Sequence, residues 1–156
     1  MKFLVLSICA ILFSVSQAQA ESVVLCGQTV EFNAAVPAKE TPNGVYSGIW
    51  LGSITVNATN KPCVAFVVES IEPSGRTIVH QAWSDVGMND KKSSGVLTWI
   101  GQFTKESTWS YGTLVLISTY VSYQLEIEST KRGTISGYVT DPEGRFPVEL
   151  KRIRKF

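Results

Sequence analysis

Few side chains in this sequence have the types and spacing that catalysis needs. His80 is the single histidine among 156 residues, so any hydroxyl–imidazole–carboxylate device must include it. Ser84 and Asp85 follow it closely, but the sequence has no Gly-x-Ser-x-Gly turn to carry a nucleophile. On strand alternation His80 sides with Ile78 and Ala82, where a hydrogen-bonded core or lumen histidine is commoner than a catalytic one. We therefore assign no catalytic residue and predict that the chain is not an enzyme.

Cofactor and nucleic-acid chemistry have no motif in the sequence either. A phosphate-binding loop, a dinucleotide fingerprint and an EF-hand are all absent. Cys26, Cys63 and His80 do not make a zinc site without carboxylates from elsewhere. The 14 basic and 13 acidic residues nearly balance, whereas a nucleic-acid binder carries a basic face. We predict no cofactor, no metal and no nucleic-acid partner.

Large aromatic rings are the most suggestive feature, because the chain holds four tryptophans and five tyrosines. One interpretation is that these rings fill a core, where each buries about 150–250 Å². The functional interpretation is an apolar cavity with a few polar groups that accepts one small hydrophobic or amphiphilic molecule. The candidate ligand-binding residues, in the lumen or at its rim, are His80, Trp99, Trp109, Tyr111, Tyr120 and Gln124.

The N-terminus predicts where the chain is delivered. Lys2 precedes an apolar run from Phe3 to Val15, and Ala18 and Ala20 supply the small residues that signal peptidase requires. Residues 1–20 are therefore predicted to be a secretory signal peptide, with a buried N-terminal helix as the alternative. The run is too short to span about 30 Å of hydrocarbon, and we expect no integral membrane segment after cleavage. The predicted location is secreted or periplasmic.

In an oxidising compartment, the cysteines of the processed chain are expected to pair. Cys9 leaves with the signal peptide, so Cys26 and Cys63 remain and are predicted to form a disulfide. The chain-entropy model gives such a loop a stabilisation of about 3–4 kcal/mol. The expected organisation is an N-terminal segment over 21–44, tethered by this disulfide, and a β-barrel domain over 45–156.

The elements that must position these residues are predicted to be strands almost throughout. Runs rich in Val, Ile, Thr and aromatic residues are separated by Gly, Pro, Asn and Ser clusters. The predicted strands are Val45–Val56, Cys63–Ile71, Arg76–Trp83, Gly95–Phe103, Thr108–Ser118, Tyr120–Glu128, Gly133–Thr140 and Arg145–Ile153. Short connections favour an all-β, eight-stranded antiparallel up-and-down barrel, with a β-sandwich as the alternative. A helical turn within Gln28–Ala38 is also open.

Alternation along the strands indicates which faces are buried. In the last strand Val148, Leu150 and Arg152 share one face, and Glu149 and Lys151 share the other. Cys63–Val68 is apolar on both faces, so we expect the segment 21–43 to cover its outer side. A membrane barrel is disfavoured because Arg152 and Arg154 would both face lipid, at a cost of about 2–4 kcal/mol each at the midplane.

Residues on the first and the last of the predicted strands carry a family resemblance. Gly48-Ile49-Trp50 on the first strand and Arg152 on the last resemble the signature of the calycin superfamily, which includes lipocalins and avidins. The closing stretch from Gly133 to Arg152 also resembles the last hairpin of lipocalin-like modules in exported bacterial proteins. The resemblance implies that Trp50 lies across the closed end of a barrel, with Arg152 packed over its ring.

Three functions remain open on the sequence. The first is a barrel that binds a small hydrophobic or amphiphilic ligand in its lumen. The second is a protein-interaction module, similar to calycin-type protease inhibitors, that acts through its N-terminal segment on a protein partner. The third is an enzyme that uses His80, and it ranks last.

Overall fold

The computed structural model describes residues 20–33, 46–69, 71–86, 93–105, 112–117, 122–131, 133–142 and 144–156. Ten strands lie in these ranges, and the same ranges contain no α-helix. The strands are β1 (Ala20–Leu25), β2 (Gln28–Asn33), β3 (Gly48–Ile54), β4 (Cys63–Val68), β5 (Arg76–Val86), β6 (Ser93–Lys105), β7 (Gly112–Ile117), β8 (Ser122–Lys131), β9 (Thr134–Asp141) and β10 (Gly144–Arg154). Apart from Ala20, the predicted signal peptide lies outside the described residues.

The larger sheet contains β3 to β10 in chain order, each antiparallel to the next. β10 pairs with β9 on one side and with β3 on the other, so the sheet closes into a barrel. The predicted all-β antiparallel fold is confirmed, and closure makes the sandwich alternative wrong. All eight predicted strands correspond to β3–β10.

β1 and β2 form a separate two-stranded sheet that the sequence did not predict. They are joined by Cys26 and Gly27, whose φ angles of 51° and 76° are those of a two-residue hairpin turn. The possible helical turn in this region is wrong for Gln28–Asn33, which is extended. This segment follows the two-residue alternation of a strand and not a helical period, because Val30 and Phe32 face the barrel while Thr29 and Glu31 face solvent.

The interior of the barrel is an apolar core built from alternate residues of the strands. Its buried members include Trp50, Phe66, Val79, Leu125 and Val148, each 3% exposed or less. The predicted two faces of the last strand are confirmed, since Val148 and Leu150 are buried whereas Glu149 and Lys151 are exposed.

A second core lies outside the barrel wall, beneath the β1–β2 hairpin. Leu25, Val30 and Phe32 of the hairpin pack on an outward-facing set of Ile49, Ala65, Val67 and Ala82. Burying each large side chain contributes about 1.5–3 kcal/mol. The prediction that the outer face of Cys63–Val68 is covered by the N-terminal segment is therefore confirmed.

Covalent and polar contacts fix both ends of the hairpin. At the turn, Cys26 and Cys63 form the predicted disulfide, with a Cα–Cα distance of 5.6 Å. At the open end, Arg154 donates two hydrogen bonds to the Glu21 carboxylate. Phe32 and Phe156 stack beside this ion pair, with ring centroids 5.4 Å apart. Arg154 and Phe156 thus hold the open end of the hairpin against the barrel.

Glycine at Gly48 is required where β3 meets the end of β10. Its φ of 133° is a backbone conformation that L side chains rarely adopt, and a Cβ there would overlap the carbonyl oxygen of Arg154. The pairing of β10 with β3 is irregular between Arg152 and Arg154, next to this close approach. On the other side of the irregularity Arg152 lies opposite Trp50.

Candidate functional site

One end of the barrel is closed by Trp50. Its indole Nε1–H donates a buried hydrogen bond to the carbonyl oxygen of Tyr46, at 2.7 Å. Arg152 is the cross-strand neighbour of Trp50, and its guanidinium carbon lies 5.1 Å from the centroid of the indole ring. This distance lies within the range of a cation–π contact. We refer to this end, with Tyr46, Trp50 and Arg152, as the closed end.

The lumen next to the closed end is filled by side chains. A cavity of about 10 Å³ remains there. That is close to the minimum that one water molecule needs. Its lining residues are Tyr46, Trp50, Phe66, Val68, Ile71, Phe103, Leu125, Ile135 and Leu150. The described side chains therefore pack together at this end, and the cavity among them is too small for an organic ligand.

The opposite end, which we call the mouth, brings inward-facing apolar side chains to the surface. Register identifies them: Trp83 lies opposite the buried Val64, and Leu97 lies opposite the buried Gln81. Leu97 is nonetheless 48% exposed, and Trp83 is half-buried. An inward-facing side chain with half its surface in solvent indicates that the lumen opens here.

Trp83 and Gly95 form one wall of the mouth. They are direct cross-strand neighbours, and a Cβ on Gly95 would lie only 2.9 Å from the Trp83 ring. The absence of a side chain at Gly95 therefore lets the indole lie across β6. The Trp83 Nε1–H donates a 3.3 Å hydrogen bond to Ser93 Oγ in the exposed part of the mouth.

Trp99 and Gln81 form the floor of the mouth. The Trp99 Nε1–H donates a 3.0 Å buried hydrogen bond to Gln81 Oε1, and Trp99 is 6% exposed. Trp99 is the one candidate from the sequence that the structure places in the lumen with a described side chain. Val79 lies directly opposite Trp99, and Phe103 lies further along β6 in the packed half of the barrel.

His80 lies on the outer wall of the barrel, so its expected lumen position is wrong. It pairs across the sheet with Val67, which belongs to the core beneath the hairpin. Its Nε2 is 2.9 Å from Glu69 Oε1, and its Nδ1 is 3.0 Å from Thr98 Oγ1. Alternation gave the correct neighbours, but both faces of this region are apolar, so it could not identify the inner face.

The hydrogen-bonded chain of hydroxyl, imidazole and carboxylate groups at His80 also contacts the β1–β2 hairpin. Glu69 Oε1 also accepts the backbone N–H of Asn33, the last residue of β2, at 2.9 Å. Glu69 and His80 are each 8% exposed. The buried carboxylate therefore holds the open end of the hairpin as well as the imidazole, which is the hydrogen-bonded core histidine favoured on the sequence.

The remaining sequence candidates fall outside the described side chains. Trp109, Tyr111 and Tyr120 are not among the described residues, and Gln124 lies in β8 with only its backbone described. The strand ends that flank 106–111 are paired at Lys105 and Gly112, beyond Phe103 towards the closed end. Those of β7 and β8 that flank 118–121 lie at the mouth.

Sequence reasoning missed Leu97 and Gln81 and did not include Trp83 among the ligand candidates. Trp83 and Trp99 both face inwards, on strands that pair with each other. Their spacing indicated this, because each lies an even number of residues from another inward-facing position of its own strand, Val79 for Trp83 and Gly95 for Trp99. The sequence did not show the register between neighbouring strands. Whether an inward-facing residue lies at the mouth depends on where those strands end.

The ion pair of Glu21 and Arg154, at the open end of the hairpin, shifts the pKa values of both groups. The hydrogen bond from Arg154 lowers the pKa of Glu21 below its usual value of 4.5, and the charge of the guanidinium adds to the effect. Within the described ranges no group of His, Cys, Asp and Glu is arranged to hold a metal ion. In that part of the chain no helix has the length and apolarity needed to cross a membrane.

Comparisons with known proteins leave the chain without an assigned family. No protein-family model matches the sequence, and neither the curated proteins nor the solved structures include a match.

Proposed function

We propose that this protein is an exported, calycin-like β-barrel that binds one small hydrophobic or amphiphilic molecule at the mouth of the barrel. The observation that carries the proposal is the exposure of the inward-facing Leu97 beside the half-buried Trp83. Apolar groups that line a concavity and remain in contact with water gain free energy when a ligand covers them.

The shape of the lumen limits what the ligand is. The closed end is packed, so the ligand enters only as far as the floor formed by Trp99 and Gln81. Trp83 and Leu97 supply flat and aliphatic surface for a hydrocarbon chain or ring. A polar group on the ligand would stay at the solvent side, near Ser93. An amphiphile whose apolar portion is covered only in part by the mouth matches this arrangement.

Arg152 and Trp50 support the calycin-like part of the proposal. The guanidinium over the indole at the closed end is the arrangement that the resemblance implies. The Cys26–Cys63 disulfide fits an oxidising compartment and so supports export to the periplasm or the extracellular space.

The alternative, a protein-interaction module that inserts its N-terminal segment into a partner, has less support. Leu25, Val30 and Phe32 use the apolar face of the hairpin against the barrel. The disulfide at Cys26 and the ion pair at Glu21 fasten both ends of the same hairpin. Insertion into a partner would require these contacts to be broken.

A fluorescence titration of the purified, oxidised protein with dodecanoate tests the proposal. The expected result is a saturable change in tryptophan emission with one site per chain. Leu97→Arg places a charge in the mouth and is expected to weaken binding at least tenfold. Ile100→Arg is the matched control, because Ile100 lies three residues along the same strand, faces outwards and is 56% exposed.

Two results would contradict the proposal. One is the absence of saturable binding by a folded protein up to the solubility limit of the probe. The other is equal weakening by Leu97→Arg and Ile100→Arg, since binding would then not depend on the face that lines the mouth.

A further inference from the structure

We propose that the outer edge of β1 pairs with the same edge of a second copy of this chain, forming a four-stranded sheet in the order β2–β1–β1–β2. β1 is hydrogen-bonded to β2 on one side only, because the two strands form a sheet of their own. A strand with one open edge presents a row of backbone donors and acceptors that another strand can use.

The turn of the hairpin determines which backbone groups face outwards. Leu25 and Gln28 flank the two-residue turn and are therefore a hydrogen-bonded pair. Alternation then makes Val24 and Thr29, like Ser22 and Glu31, non-hydrogen-bonded pairs. The N–H and C=O groups of Ser22 and Val24 consequently point away from β2.

An independent contact supports this assignment. Asn33 pairs with Ala20, and the same alternation turns its N–H away from β1. That N–H donates to Glu69 Oε1, as an outward-pointing group can. In the described part of the chain, the structure records no hydrogen bond that occupies the outward groups of Ser22 or Val24.

Within the described ranges, β1 has none of the features that protect an edge strand from pairing. Natural edges carry lysine, proline, a bulge or a covering segment. β1 has the sequence Ala-Glu-Ser-Val-Val-Leu, with no lysine and no proline. Its single charged side chain, that of Glu21, is paired with Arg154 of the same chain. Val24 is 69% exposed, the highest value among the exposed large hydrophobic residues described.

The sequence of β1 fits an antiparallel copy of itself. With Val23 opposite Val23 on a twofold axis, Ser22 of each copy forms a hydrogen-bonded pair with Val24 of the other. This register uses all the outward groups of Ser22 and Val24 and places Glu21 opposite Leu25, so like charges are not opposed. A second copy is therefore the occupant that the edge chemistry and charge favour.

The contact is small, so association should depend on concentration. One strand pair buries less than the 1,200–2,000 Å² of a standard interface, as in weak and transient complexes. Sedimentation equilibrium of the oxidised protein from about 1 µM to 1 mM covers the corresponding range of dissociation constants. We expect the weight-average mass to rise towards that of a dimer across this range.

Val24→Pro is the decisive variant. It removes an outward N–H that the β1–β2 ladder does not use, so the hairpin keeps its bonds. We expect at least a tenfold weaker dimer. Thr29→Pro is the matched control, because Thr29 is exposed and its N–H points away from β1 on the opposite edge of the hairpin. It should leave the dimer unchanged.

Amide hydrogen exchange of the unmodified protein keeps the test independent of whether a proline variant folds. The Ser22 and Val24 amides should exchange more slowly at 1 mM than at 10 µM, at least by the twofold that half-dimerisation gives. A protein that is monomeric at 1 mM, a dimer that Val24→Pro leaves intact, or equal exchange at both concentrations would each overturn the proposal.

Discussion

Trp50 makes two contacts of different chemistry at the closed end of the barrel. Its N–H satisfies a buried backbone carbonyl at Tyr46, and its ring accepts the Arg152 guanidinium. The pairing of Trp50 with Arg152 was predictable from their types and positions, given the resemblance. The hydrogen bond to Tyr46 was not, because it depends on how the chain enters β3.

Trp50→Phe tests the importance of these contacts for stability. Loss of the indole N–H leaves the buried Tyr46 carbonyl without this donor, which costs about 1–3 kcal/mol in the free energy of unfolding. Urea unfolding monitored by circular dichroism measures it. Trp83→Phe is the matched control, because its hydrogen bond to Ser93 is exposed and its loss should cost less than about 1 kcal/mol. A smaller loss for Trp50→Phe than for Trp83→Phe would contradict this account.

Glu21 gives a prediction about pH. Its pKa is lowered in the folded state by the hydrogen bond from Arg154, so the pair stabilises the fold above the unfolded pKa near 4.5. That stabilisation is lost as pH falls through the lowered folded-state pKa. The midpoint temperature of the original protein should exceed that of Glu21→Gln slightly at pH 7, and the difference should shrink as the pH falls below 4.5. A difference that is constant from pH 7 to pH 2 would contradict the role assigned to the pair.

The β1–β2 hairpin is the element that sequence reasoning recovered only in part. The apolar outer face of β4 predicted that the N-terminal segment would cover it, and the cysteines predicted the tether. The strands themselves were missed, because Cys26-Gly27 is not the Asn-Gly or Asp-Gly pair that indicates a two-residue turn. The disulfide and the buried face of β2 stabilise the hairpin, although its turn residues give only a weak signal in the sequence.

Removing the disulfide measures how strongly the hairpin is held. The paired substitution of Cys26 and Cys63 by serine opens a loop with a sequence separation of 37 residues. The chain-entropy model gives a loss of about 4 kcal/mol in the free energy of unfolding. The hairpin should stay docked in the remaining folded fraction, because Phe32 and Glu21 keep their contacts. Rapid exchange of the Val30 amide in that variant would show instead that the disulfide alone holds it.

At the scale of the whole molecule, a barrel with one packed end and one open end explains where a ligand would bind. The number and order of the barrel strands were predictable from the alternating apolar runs and their turn residues. The position of the mouth was not, because it depends on the register between β5 and β6 and on where the lumen ceases to be filled. His80 was expected in the lumen although it lies on the outer wall, because both faces of this region are apolar and alternation did not identify the inner one.

The binding of a ligand at the mouth is tested most directly by methyl NMR of the oxidised protein titrated with dodecanoate. Leu97 faces the mouth, whereas Ile78 and Ile100 are similarly exposed but lie on the outer face. Saturable shifts of the Leu97 methyl resonances, with Ile78 and Ile100 unchanged, are the predicted result. Equal shifts at all three residues, or none at any of them up to the solubility limit, would contradict the proposed site.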